Sequence, residues 1–134
     1  MLNEIQFAII KDFIPHFANG AEVLYLGDAE NKCIDAKKLN ELNIPIQDDS
    51  QLPDAVIYDR AKNRLFFIET ITSHGVISPK RKAELEELSN DCESWKVYIT
   101  AFKNRQEFAE LPVDVAWDTD VWFANAPAHM IHFR

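Results

Sequence analysis

Apolar side chains recur near the start of the chain at Leu2, Ile5, Ile9, Phe13 and Phe17. Steps of three and four residues put them on one face of a helix, which Asn19-Gly20 then stops. Glu22 to Leu26 reads as a strand, and Gly27-Asp28 turns the chain out of it. Ala36 to Leu42 is expected as a short helix, followed by a loop through Pro45 and Asp48-Asp49-Ser50. Two compact apolar runs come next, Ala55-Val56-Ile57-Tyr58 and Leu65-Phe66-Phe67-Ile68. Runs so short and so apolar predict strands covered on both faces. Asp59-Arg60-Ala61-Lys62-Asn63-Arg64 between them is a polar connection of hairpin length. A helix is predicted from Pro79 to Asp91, with Ser78 as N-cap and proline at the first helical position. Trp95 to Thr100 is expected as a strand and Lys103 to Glu110 as a short helix. Val113 to Trp117 and Val121 to Ala124 are expected as further strands. The order describes an α/β fold, a single mixed β-sheet flanked by helices.

Composition narrows the class. The 134 residues make one domain with enough chain for a real core. An apolar share of 47% and an aromatic share of 11% exclude a disordered acidic tail. The longest apolar runs are about five residues, against the ~20 that a bilayer needs. The segment MLNEIQFAIIKDF carries Glu4 and Lys11 and does not read as a signal peptide, so a cytoplasmic location is expected. Cys33 and Cys92 have neither a CxxC partner nor a histidine at zinc spacing, and two reduced thiols is the plainer reading. A formal charge of −8 and a pI near 4.9 argue against a surface that coats nucleic acid in general.

Candidate chemistry starts with the hairpin. If Tyr58 pairs with Leu65, the same antiparallel register sets Asp54 opposite Glu69. Their Cβ atoms would be roughly 4.5–5.5 Å apart on one face. A two-residue slip keeps them on one face, whereas a one-residue slip separates them. Opposed like charges need a cation or exposure to water, and a hard divalent ion is the natural partner. The bland alternative is that two acids end two strands in solvent.

The next helix opens on Lys80, Arg81 and Lys82, at the end where the macrodipole favours anions. Arg81 also stands where a capping box would place an acid. Three cations at a helix N-terminus make a phosphate cradle. A solvated charged face is the competing interpretation. Carboxylates on a hairpin followed by basic groups on the next helix together describe a metal-and-phosphate site.

Leu52-Pro53-Asp54 before a strand, with an acid at the end of the next, resembles the PD-(D/E)XK nuclease core. Longer stretches resemble the C-terminal region of the BsuBI/PstI family of type II restriction endonucleases. They are Leu24 to Asp28, Ile68 to Gly75 with Ser78 to Arg81, Thr100 to Phe102, Ala116-Trp117 to Val121-Trp122, and His129 to Phe133. The resemblance implies Mg²⁺-dependent cleavage of double-stranded DNA at CTGCAG in a restriction–modification system. A two-fold site in turn suggests a homodimer. Carried onto this chain, Asp54 and Glu69 are the metal-holding and catalytic acids. The bound ion would lower the pKa of a water and offset charge on the phosphate.

Two departures qualify that resemblance. The motif lysine belongs two positions after the second acid, where Ile71 stands. Lys80 is the expected substitute, with Lys82 the weaker candidate. Ser73 and His74 are expected near the phosphate, alongside Arg81 and Lys82. Asp28 and Glu4 are lesser metal candidates, and His129 and His132 read as structural. The second departure is length. The family's N-terminal DNA-binding region is expected to be missing from residues 1–134, leaving a catalytic-type domain that needs a separate recognition region or partner. That would account for the acidic balance. Two further readings compete: a non-catalytic relic or protein-binding module that keeps the nuclease fold, and a metal-dependent phosphohydrolase of small nucleotides.

Overall fold

The computed structural model describes residues 4–27, 32–45, 52–70, 76–110 and 114–134. The amphipathic stripe at the start forms α1 (Glu4–Ala8), a π-helical turn (Ile9–Phe13) and α2 (Ile14–Phe17). The wide turn has a local cause. Pro15 lacks an N–H, and in a regular α-helix its ring would meet the carbonyl four residues back. Directly before it, the Ile14 N–H donates to the Ile9 carbonyl, the longer-range bond of a π turn. Four-residue steps overshoot an α-helical turn by about 40°, and the wide turn absorbs part of that drift. Ile5, Ile9 and Phe13 therefore stay on one buried face. Phe13 sets its ring edge-on to Phe66 and Trp122, at centroid distances of 5.6 and 5.4 Å.

The strands are β1 (Glu22–Gly27), β2 (Lys32–Ile34), β3 (Ala55–Asp59), β4 (Arg64–Thr70), β5 (Trp95–Phe102), β6 (Thr119–Phe123) and β7 (Met130–Phe133). Among the described residues they form one sheet in the order β2-β1-β3-β4-β5-β6-β7. It is mixed: β4, β5 and β6 run parallel, and the remaining pairings are antiparallel. α4 (Pro79–Leu88) and α5 (Arg105–Glu110) lie in the two parallel crossovers, and α3 (Ala36–Glu41) packs near β1. Ile57, Phe66, Ile68, Ile99 and Trp122 meet the N-terminal helix on one face. Val56, Leu65, Phe67 and Tyr98 meet Leu39 of α3 and Leu85 of α4 on the other.

The expected hairpin register is the observed one, with Tyr58 opposite Leu65. Asn63 fixes it from the turn. Its φ of 51° lies in the left-handed region, which Asn enters at lower cost than most residues. Its Oδ1 accepts from the Tyr58 hydroxyl at 3.0 Å and from Ser94 Oγ at 2.7 Å. Its carbonyl accepts from Trp95 N at 3.0 Å, at the entry to β5. Asn63→Ala is expected to cost about 2 kcal/mol in urea unfolding, combining the strained backbone with lost hydrogen bonds. Asn63→Gly should recover only the backbone part.

Two expectations need correction. Asp114 to Trp117 does not form a strand: Ala116 is buried, its N–H bonds the Ile77 carbonyl at 2.9 Å, and Trp117 is 70% exposed at a turn. Val113 lies outside the described residues. The helix expected to reach Asp91 ends at Leu88, capped at Ser89. Cys33 is exposed, Cys92 is buried, and the two are not bridged. Among the described residues no helix is long and apolar enough to cross a membrane.

Candidate active site

Asp54 immediately precedes β3, and Glu69 is the penultimate residue of β4. Continuing the pairing of Ala55 with Ile68 by one step sets the two acids opposite each other. Both share the face that carries Val56 and Phe67, the face covered by α4. They are deeply buried, with 6% of Asp54 and none of Glu69 exposed.

Buried carboxylates must be hydrogen-bonded or paired, and these are held differently. Asp54 Oδ2 accepts from the Thr70 N–H at 2.7 Å and from Thr70 Oγ1 at 2.9 Å. The Asp54 carbonyl accepts from Gly27 N at 3.1 Å, tying the acid to the end of β1 as well. Glu69 is met by Arg81, whose Nε donates to Oε2 at 3.1 Å. A longer contact of 3.5 Å runs from the same guanidinium to Oε1. Burial pushes the Glu69 carboxyl up to about 7 from an ordinary 4.5. The Arg81 charge and hydrogen bond pull it back, and the nearby Asp54 charge adds to the rise.

α4 decides which basic residue arrives. Ser78 caps it by accepting from Arg81 N at 3.2 Å, which fixes the phase of the first turn. Arg81 then shares a stripe with Leu85 and Leu88, the residues that pack on the sheet. Lys80 falls off that stripe and is exposed. Lys82 faces another way, its ammonium 5.7 Å from the Tyr98 ring centroid and 4.0 Å from Glu86. Of the three cations in the expected cradle, only Arg81 is brought to the carboxylates. Ile71, Ser73, His74 and Asp28 lie outside the described residues. Glu4 is exposed at the start of α1. His132 Nδ1 lies 2.8 Å from Asp120 Oδ1 on the neighbouring strand, and Arg134 is 3.0 Å from the same oxygen.

Sequence reasoning missed two side chains that support the site. Thr70 fixes Asp54, and Thr100 Oγ1, on the strand beside Glu69, accepts from Ile77 N at 3.0 Å just ahead of α4. Small polar residues inside otherwise apolar strands were the available signal.

Among the described residues no group of three or more His, Cys, Asp or Glu side chains converges as a metal cage. Two opposed carboxylates are nevertheless a hard-oxygen donor set. They fit Mg²⁺, which is bound through one or two protein carboxylates with water and phosphate completing its shell.

Residues 1–134 match the family model described as the BsuBI/PstI restriction endonuclease domain. The chain belongs to that family. It is 40% identical to the type II restriction enzyme BsuBI of Bacillus subtilis, over 98% of this chain and 42% of that protein. It is 27% identical to the type II restriction enzyme AplI of Arthrospira platensis, over 95% of this chain and 42% of that protein. The SdaI restriction endonuclease structure superposes with a TM-score of 0.87 at 30% identity, covering 94% of this chain and 40% of that one. The single mixed sheet with flanking helices is thus a restriction-endonuclease fold. The chain spans about two fifths of the length of these relatives.

Proposed function

We propose that residues 1–134 are the catalytic domain of a Mg²⁺-dependent type II restriction endonuclease that hydrolyses phosphodiester bonds of double-stranded DNA at CTGCAG. The observation that carries this reading is the opposed pair Asp54 and Glu69, buried on one face of a hairpin with Arg81 reaching in from α4. Burying two carboxylates side by side is costly, and a site that receives a divalent cation gives the cost a purpose. Asp54 and Glu69 are the residues that would hold the ion. Once bound, it supplies positive charge for the phosphate oxygens and lowers the pKa of a water molecule. Thr70 keeps the Asp54 carboxylate in one orientation, and the Thr100–Ile77 bond holds the approach to α4. Ser73 and His74 would contact the phosphate in this reading, as the resemblance of Ile68 to Gly75 to the family implies. Lys80 and Lys82 can meet the DNA backbone only outside the carboxylate pair.

Base reading belongs to a further region. An acidic chain of net charge −8 lacks the footprint of a self-sufficient DNA binder, and its relatives are more than twice its length. A two-fold dimer would match a palindromic site. The second reading, a relic that keeps the fold without the activity, is favoured by one observation: Glu69 already has a counter-ion in Arg81.

The test is incubation of the purified chain at low salt with a CTGCAG plasmid and a plasmid lacking it, in Mg²⁺ or in chelator. Thermal stabilisation by Mg²⁺ or Mn²⁺ is expected of the chain alone, and cleavage confined to the first plasmid with Mg²⁺ is expected once a recognition region is supplied. If no cleavage occurs and Mg²⁺ or Mn²⁺ gives no thermal stabilisation, the catalytic reading fails and the relic stands.

A further inference from the structure

The motif position that carries lysine in the general nuclease pattern holds Ile71, so a cation in the site would come from another position. We infer that Arg81 is that cation, and that it converts the metal-loaded site into a receptor for a single phosphodiester charge. The inference rests on the nuclease reading above and goes beyond it by assigning the missing group and its electrostatic task.

Arg81 satisfies the requirements of position. It is mostly buried, with 13% of its side chain exposed, and its Nε is 3.1 Å from Glu69 Oε2. Its helix phase is fixed by the Ser78 cap and by Leu85 packed one turn later. Glu84, more than half exposed, lies 3.8 Å from Nη1 and gives the guanidinium a second anchor toward solvent. The neighbouring lysines do not share this placement: Lys80 is exposed, and Lys82 is drawn to Tyr98 and Glu86.

Charge counting then assigns the task. At pH 8 Asp54 and Glu69 carry two negative charges and Arg81 one positive, so the metal-free site is anionic. With a divalent cation alone, the two carboxylates would be neutralised and nothing would remain to attract a phosphate. With Arg81 retained, one positive charge is left among the buried groups, which matches one phosphodiester; Glu84, more than half exposed, is largely screened by water. Arginine suits this role because its planar fork can bridge a carboxylate and a phosphate oxygen together. The same charge repels the incoming metal ion. Arg81 therefore weakens cation binding and strengthens anion binding, and a merely structural residue would not move those two affinities in opposite directions.

The experiment measures both in the intact chain at pH 8. Mg²⁺ binding is followed by calorimetry. Binding of dimethyl phosphate, a phosphodiester monoanion, is followed by chemical-shift change in saturating Mg²⁺. Arg81→Gln is expected to bind Mg²⁺ roughly threefold more tightly or better and to bind dimethyl phosphate about tenfold more weakly. Arg81→Lys keeps the charge, so its Mg²⁺ affinity should stay near wild type with anion binding between the other two. This second variant carries the test if Arg81→Gln fails to fold. Mg²⁺ affinity that is unchanged or weaker in Arg81→Gln, or anion binding that is unchanged, overturns the inference and leaves the nuclease reading intact. A wild-type chain that binds no Mg²⁺ overturns both.

Discussion

Asp54→Asn is expected to abolish Mg²⁺-dependent stabilisation and to reduce cleavage by roughly 10²–10³-fold, the equivalent of about 3–4 kcal/mol in the transition state. The substitution is nearly isosteric, and the Asn carbonyl oxygen can still accept from Thr70 N and Thr70 Oγ1. Hence the fold should survive and the metal-free melting temperature should hardly change. What is lost is a charge rather than a contact. Thermal melting with and without saturating Mg²⁺ separates these effects. The wild type should gain about 2.7 kcal/mol at a hundredfold excess over Kd, and the variant nothing. A variant that is stabilised as strongly as wild type would remove Asp54 from the ligand set.

Glu69→Gln is expected to have opposite effects on the two states of the site. In the metal-free chain, burial raises the Glu69 carboxyl to about 7 from 4.5. Between those values the folded state keeps a proton that the unfolded chain has released, so stability falls as pH rises and levels off above about 7. The loss amounts to about 3 kcal/mol at most. Glutamine cannot ionise, so the variant should lack this slope and be the more stable protein at pH 8 in chelator. With Mg²⁺ the gap closes, and it reverses at roughly a thousandfold excess over Kd, because the variant has lost a ligand. Proton and cation compete for the wild-type carboxylate, so its metal affinity should climb as pH rises toward 7 and then flatten. Urea unfolding from pH 5 to 8, with and without Mg²⁺, measures both trends. A wild type and a Glu69→Gln variant with parallel pH profiles would contradict the burial argument.

The hairpin and its opposed acids were legible because strand register is arithmetic: one antiparallel pairing determines all the others, and Tyr58 opposite Leu65 carries Asp54 to Glu69. Arg81 was legible too, but through a different pattern from the one used. The resemblance, which calls for a lysine, points to Lys80 and leaves Arg81 among the phosphate-binding candidates, whereas helix phase, read through Leu85 and Leu88, brings Arg81 to Glu69. The edge strands β2 and β7 escaped notice because they are short, and Lys32, His132 and their neighbours show no apolar run. Val113 to Trp117 misled in the opposite sense. Its apolar letters suggest a strand, but among its described residues Ala116 alone is buried and Trp117 is left at the surface. Short apolar stretches do not reveal whether a sheet edge is free to receive them.

The Asn63 junction ties β3 to the turn through one side-chain bond from Tyr58, and the turn to the entry of β5 through one side-chain bond from Ser94 and one backbone bond from Trp95. Surface turns generally accept insertions and deletions during evolution, but this one is held to a fixed length. A single added residue would have to be absorbed as a bulge or would turn Glu69 away from Asp54. Among homologues, the segment from Arg60 to Asn63 should therefore vary in composition while keeping its residue count. Length drift should gather in other connections. For a directed library, those other connections are where loop grafts can be placed without erasing the site.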